Sequence, residues 1–203
     1  IYEQRIENGQ VQRVSLPLSN HGSGYTVKST LSKGFYELGL KTSFLVLLNI
    51  SKAEQISGGQ RLPYQYRLMR LEPKVIWTPN RHWETSYQTD IRYGGNKIGE
   101  RTRLAPLWNV TQQVQLSYIF SPIEASLSVD HYHNDVNEDQ SVNAVFADFS
   151  VSWKSGRWQI TTTATNLFDK RTYAYTQYAS LESYTSWVRI RPREFLVAIR
   201  YQL

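Results

Sequence analysis

Hydrophobic and polar residues alternate along most of this chain, most clearly at its end. Phe195, Val197, Ile199, Tyr201 and Leu203 share one parity, and Glu194, Leu196, Ala198, Arg200 and Gln202 share the other. Successive side chains of a strand point to opposite faces, so this predicts a strand with one apolar and one mostly wet face. The same period of two recurs upstream. From about Phe35 to Lys52, Leu38, Leu40, Phe44, Val46, Leu48 and Ile50 oppose Glu37, Gly39, Lys41, Ser43, Asn49 and Ser51. Comparable runs predict strands from about Tyr25, Tyr64, Trp83 and Ala125, one ending at Phe120, and others over Val145 to Trp153 and Trp158 to Ala164. The opening residues read as a hairpin around Asn8-Gly9, a pair that supplies positive φ at both central turn positions. Pro73 falls inside a strand, where its missing ladder donor predicts a bulge or a register other than the one assigned.

The predicted connections alternate in length. Short turns fall at Lys33-Gly34, Pro79-Asn80, Ser121-Pro122 and Ser155-Gly156, and long loops at Ala53 to Leu62, Gly94 to Pro106, His133 to Val142 and Asp169 to Ser186. All short turns then lie at one end of the sheet, an asymmetry of outer-membrane barrels. Large rings gather at that end: Trp77, Trp83, Phe120, Trp153, Trp158 and Tyr201 are expected to form a girdle at the lipid boundary, with Tyr93, Tyr132, Tyr184 and Trp187 forming its outer counterpart. The opposite parity collects Lys41, Arg70, Lys74, Asp90, Arg92, Asp148 and Arg200. A Lys or Arg facing lipid at mid-membrane costs roughly 2 to 4 kcal/mol, so these are assigned to the lumen. The predicted fold is therefore all-β, an antiparallel transmembrane β-barrel with nine or ten strands in this chain. Ten strands alone would make a narrow barrel, and the wet parity suits a portion of a wider one of about 22 strands.

Composition sharpens this picture. The 203 residues include 14 Tyr, one Met and no Cys, which favours strands and excludes disulfides and Cys-ligated metals. The longest apolar run, Phe44 to Leu48, is far short of the roughly 20 residues a membrane helix needs. The net charge of +6 is scattered rather than gathered in a stripe, so nucleic acid is not an expected partner. The start at Ile1 suggests either a removed signal peptide or the C-terminal part of a longer protein, and the second is preferred.

Candidate chemistry is sparse. Gly22-Ser23-Gly24 lacks the spacing of a nucleophile elbow. Asp135-x-Asn137-x-Asp139 begins like a calcium loop, but Gln140 replaces the required glycine and Phe146 the bidentate glutamate. His131 and His133 share a strand face and form, with Asp135, a weak candidate metal set. Arg171, Tyr173, Tyr175, Tyr178 and Tyr184 in the longest loop are candidate contacts for a ligand or partner, because rigid rings with polar tips suit recognition. Neither a catalytic set nor a cofactor is expected.

The stretch from Asn166-Leu167-Phe168-Asp169-Lys170 through Arg191-Pro192-Arg193-Glu194-Phe195-Leu196 to Arg200-Tyr201-Gln202-Leu203 resembles the end of a TonB-dependent-receptor-type barrel, especially the outer-membrane β-barrel proteins of Bacteroidota. Leu203 departs from the Phe or Trp that usually ends such proteins. The resemblance implies residence in the bacterial outer membrane, with short turns periplasmic and long loops extracellular. It implies a barrel wall for nutrient uptake, completed by earlier strands and a plug from the rest of the protein, coupled through them to the TonB system. No plug is present in these residues. The alternatives are a non-transporting barrel that scaffolds a larger outer-membrane complex with other outer-membrane or surface proteins, and a small stand-alone barrel.

Overall fold

The computed structural model describes residues 1–7, 10–19, 21–99, 102–103, 106–137, 139–178 and 183–202. In chain order its strands are β1 (Tyr2–Glu7), β2 (Gln10–Ser15), β3 (Ser23–Phe35), β4 (Leu40–Ser57), β5 (Gln60–Asn80), β6 (Trp83–Ile98) and β7 (Thr102–Arg103). They continue with β8 (Leu107–Phe120), β9 (Ile123–Asp135), β10 (Ser141–Ser155), β11 (Trp158–Thr165), β12 (Thr172–Tyr178), β13 (Ser183–Arg189) and β14 (Glu194–Tyr201). The helical content among the described residues is one 3-10 turn, Tyr36–Leu38.

Nine of these strands form one antiparallel meander in the order β3-β4-β5-β6-β8-β9-β10-β11-β14. The β12–β13 hairpin leaves the sheet between β11 and β14 and forms its own two-stranded ladder. The β1–β2 hairpin adds to the far end of β4 through the parallel pairs Glu3–Ile56 and Gln4–Ser57. Its turn residues Asn8 and Gly9 lie outside the described residues. Among the described residues the meander does not close on itself: β3 is hydrogen-bonded to β4 alone and β14 to β11 alone.

Several expected boundaries move. The turn expected at Lys33-Gly34 lies inside β3, and the chain reverses instead through Tyr36–Leu38 and Gly39. Gly39 sits at φ 61°, and a Cβ there would come within 2.0 Å of the Thr78 carbonyl oxygen, so no other residue fits. Its own carbonyl accepts from the Thr78 N–H at 2.8 Å, which ties this turn to the end of β5. The loop expected from Ala53 to Leu62 is largely strand, closed by Gly58 and Gly59 at φ 57° and 77°, the positive pair a tight hairpin turn requires. Beyond the apolar band both faces of a strand become polar, so alternation fades while the ladder continues. The bulge expected at Pro73 is absent: Leu71–Ile91 and Lys74–Gln88 keep one register across it, and the irregularity lies between Trp77 and Asn80. Pro73 pairs with Phe44 on the β4 side.

The sheet is a single layer. Substantial contacts beyond neighbouring strands are those of β12 with β6, β9 and β10, and those of the 3-10 turn with β4 and β5. The buried apolar residues among those described, Ile56, Leu107, Ala144, Ala147, Ala164 and Ala174, are mostly small. The accessible surface is 14087 Å², whereas a folded globular monomer of this mass exposes about 9,800 Å². Among the described residues no second sheet covers the apolar face, so their arrangement is not a sandwich.

Candidate functional site

Register decides which residues share a face. One row runs Leu40, Trp77, Thr85, Leu116, Leu127, Phe149, Ala164 and Phe195 across every strand of the meander from β4 to β14. The next row runs Thr42, Val75, Tyr87, Val114, Val129 and Ala147. These rows belong to one continuous apolar face. On β4 it extends from Leu40 to Ile50, the 9 to 11 residues that a tilted membrane strand spans. Leu31, Leu48, Phe149, Val197 and Ile199 lie exposed on it.

The six girdle candidates fall on this face near the short turns. Trp83 packs against Tyr118 at 5.8 Å and donates its indole N–H to Thr85 Oγ1 at 2.7 Å, and Trp158 packs against Tyr201 at 4.8 Å. Trp77, Phe120, Trp153, Trp158 and Tyr201 are exposed. At the other end Tyr93 meets Trp108 at 4.6 Å. The sequence reading missed Trp108, although its parity with Val110 and Val114 could have flagged it. Tyr132 is a correction: it lies on the opposite face against Phe146 and Tyr173, and so belongs to no outer girdle. Trp187 stands exposed on β13, away from the main sheet, while the Tyr184 side chain lies outside the described residues.

Lys41, Arg70, Lys74, Asp90, Arg92, Asp148 and Arg200 share the other face, as their pairing with Ile76, Leu47, Ser43, Thr111, Asn109, Ser128 and Gln159 requires. Lys52, Arg67 and Lys97, by contrast, fall at the apolar parity just beyond Ile50 and Tyr93. Near the short turns Lys41, Ser43 and Lys74 line a shallow groove with Tyr36.

At the long-loop end the polar face carries a charge network. Asp90 accepts from Arg70 Nε at 3.1 Å and Nη2 at 2.9 Å, and from Arg92 Nε at 3.1 Å and Nη2 at 2.6 Å. Arg70 also pairs with Glu72. Two guanidiniums are thus held on one carboxylate through bidentate forks, the strongest geometry such groups make. The β12–β13 hairpin folds over this end. Tyr173 anchors it: the Asn134 side-chain amide donates to the Tyr173 hydroxyl at 2.8 Å, and its ring stands 5.1 Å from Tyr132 and 6.0 Å from Tyr175. Ala174 and Thr176, on β12 itself, are buried, and Thr176 donates to the Val136 carbonyl at 3.4 Å.

Between hairpin and sheet lies a cleft of about 410 Å³, lined by Tyr66, Arg70, Asp90, Arg92, Asn109, Thr111, Asn134, Tyr173 and Tyr175 among others. It unites predicted lumen residues with predicted loop contacts. Tyr66, Asn109, Thr111 and Asn134 were missed, because their polar parity gains meaning only once the cross-strand register is known.

Other candidates stand elsewhere. Arg171 is exposed and paired with Asp169 at 2.9 Å, outside the cleft. The Tyr178 and Tyr184 side chains lie outside the described residues. His131 and His133 do share a face, but the apolar one, where their nitrogens already have neighbours. His131 Nδ1 bonds Gln112 at 3.1 Å, and His133 bonds Asn143 at 2.9 Å and lies 3.3 Å from Asp135. Asp135 also accepts from the Trp108 N–H at 2.8 Å. Among the described residues no three His, Cys, Asp or Glu side chains gather as a metal site, so the candidate set does not assemble. Among the described residues of the Asp135 to Asp139 run, the Asp139 N–H donates to Asn137 Oδ1 at 2.9 Å.

Asn166 and Asp169 fix the base of the hairpin, both at φ 51°. The Asn166 side chain donates to the carbonyls of Lys170 and Arg191, each at 2.8 Å, and accepts from the Lys170 N–H at 3.0 Å. Its own N–H donates to Asp148 Oδ1 at 2.8 Å. Asp169 accepts from the Arg193 N–H at 2.9 Å as well as from Arg171, and these bonds hold its carboxyl below the usual carboxylate range. Comparisons of the chain with protein-family models, with curated proteins and with solved structures find no match.

Proposed function

We propose that this chain forms part of the wall and lumen of a bacterial outer-membrane β-barrel of the TonB-dependent-receptor type, taking part in nutrient uptake. The observation that carries the reading is the continuous apolar face across the meander, uncovered by any other element among the described residues. Water is a poor neighbour for such a face: exposed apolar patches on soluble monomers seldom exceed a few hundred Å². Lipid is the natural cover, and girdles of rings at both ends of the band support it. The meander then contributes nine strands to a wall whose edges, β3 and β14, pair with further strands of the whole protein. The polar face with its charge network becomes lumen, and the β12–β13 hairpin is an extracellular loop folded inward.

The absence of cysteine from the chain makes a topology test direct. Single Gln60→Cys and Arg157→Cys variants of the intact protein are treated with a membrane-impermeant maleimide on whole cells. Labelling of Gln60→Cys alone, with Arg157→Cys reacting only after lysis, supports the reading. Equal labelling of both, or recovery in the soluble fraction, overturns it.

A further inference from the structure

We infer that the cleft beneath the β12–β13 hairpin is a binding site for a small molecule that carries a single carboxylate on a flat ring. The inference takes from the barrel reading only that this face meets water.

Two features of the cleft select such a ligand. The charges of the network are even, Arg70 and Arg92 against Asp90 and Glu72, so the first is donor placement. Asp90 occupies Nε and Nη2 of each guanidinium, and Nη1 of both has no hydrogen-bond partner among the described residues. Because the forks are already clamped, a ligand carboxylate meets arginines whose rotamers are fixed, and binding forgoes most of the usual ordering cost. The second is shape. Tyr173 and Tyr175 stack 6.0 Å apart on the hairpin side, Tyr66 lines the sheet side, and the Asn109, Thr111 and Asn134 side chains stand between as hydrogen-bonding groups. Rings of this kind accept the face of an aromatic or a sugar, while the amides and the hydroxyl read its substituents. A volume of about 410 Å³ admits one or two such rings, at the small end of the roughly 300 to 1,000 Å³ typical of ligand clefts.

The test is calorimetric titration of the intact protein in mild detergent with matched probes: benzoate against benzamide, glucuronate against glucose, and inorganic phosphate. The expected result is that one of the two carboxylates binds at least ~10-fold more tightly than its neutral partner. Arg92→Gln and Arg70→Gln should each remove most of that preference, with Arg92→Lys intermediate because it keeps the charge and loses the fork. Tyr175→Ala should weaken the charged and neutral members of a pair alike and leave their ratio unchanged. Circular dichroism on each variant separates loss of binding from loss of fold. Equal affinity for charged and neutral partners, phosphate binding above both carboxylates, unaltered binding in folded Arg92→Gln, or no heat with any probe overturns the inference. The maleimide topology result is independent of these titrations, so the two ideas fail separately.

Discussion

Asn166 shows how one residue can set the course of a long segment. It leaves β11 in the left-handed region, which costs a residue with a Cβ about 1 to 2 kcal/mol unless a short polar side chain bonds locally. Its amide does so, gathering the chain entering the hairpin at Lys170 and the chain leaving it at Arg191. Asn166→Ala is therefore expected to destabilise the hairpin base by about 2 to 4 kcal/mol, seen as faster amide exchange over residues 167–193 while β8 to β10 stay protected. Asp169 adds a dependence on acid. Its carboxyl is held low chiefly by the Arg193 N–H and next by Arg171, so its contribution is full above the unfolded carboxylate value near 4 and is lost as pH falls through its lower folded value. Corrected for the intrinsic pH dependence of amide exchange, exchange in the same segment should rise on acidification below about pH 4 in the natural protein and stay level in Asp169→Asn. The sequence carried this motif plainly as a string of residues. Its purpose depends on the carbonyl of Arg191 and on Asp148, and partners 25 and 18 residues away leave no local trace.

For individual elements, legibility tracked amphipathicity. Central strands with one greasy and one wet face could be read and faced correctly, down to the shared polar parity of Arg70, Asp90 and Arg92. The upper part of β4 and β5 was read as loop, because a ladder held by backbone hydrogen bonds needs no apolar side chains once another strand lies alongside. The hairpin β12–β13 was hidden for a related reason: its rings made it look like a recognition loop, and nothing local said that Tyr173 would turn back onto Tyr132 and Asn134. That anchorage makes a prediction about the element as a unit. Tyr173→Ala should release the hairpin from the sheet, raising protease sensitivity within residues 170–190 without lowering the sheet's own resistance, whereas Tyr173→Phe should keep the ring contacts and lose only the Asn134 bond, at about 1 kcal/mol.

Across the whole molecule, the question is what covers the apolar face. A surface of 14087 Å² is larger than water tolerates for a chain of this size, and the proposed cover is lipid. Leu48 lies exposed in the middle of the band on β4, and Gln115 lies exposed on the polar face of β8. Leu48→Arg is expected to cost roughly 2 to 4 kcal/mol and sharply reduce membrane-inserted protein, while Gln115→Arg should change it little. Heat-modified mobility on gels of membrane fractions distinguishes the two outcomes, and similar behaviour of both variants would argue against lipid contact.

The meander's neighbour-only connectivity has a mechanical consequence. Because, among the described residues, β14 is held by β11, β11 by β10 and so on down to β3, the sheet resembles a zip more than a knot. A pull applied to the β14 edge loads one ladder at a time, peeling bonds in sequence rather than shearing them together. Force spectroscopy should record a sawtooth in which each antiparallel pair, such as β9–β10 or β5–β6, surrenders roughly 100 to 140 Å of chain per peak. The β3–β4 ladder at the far end should yield last.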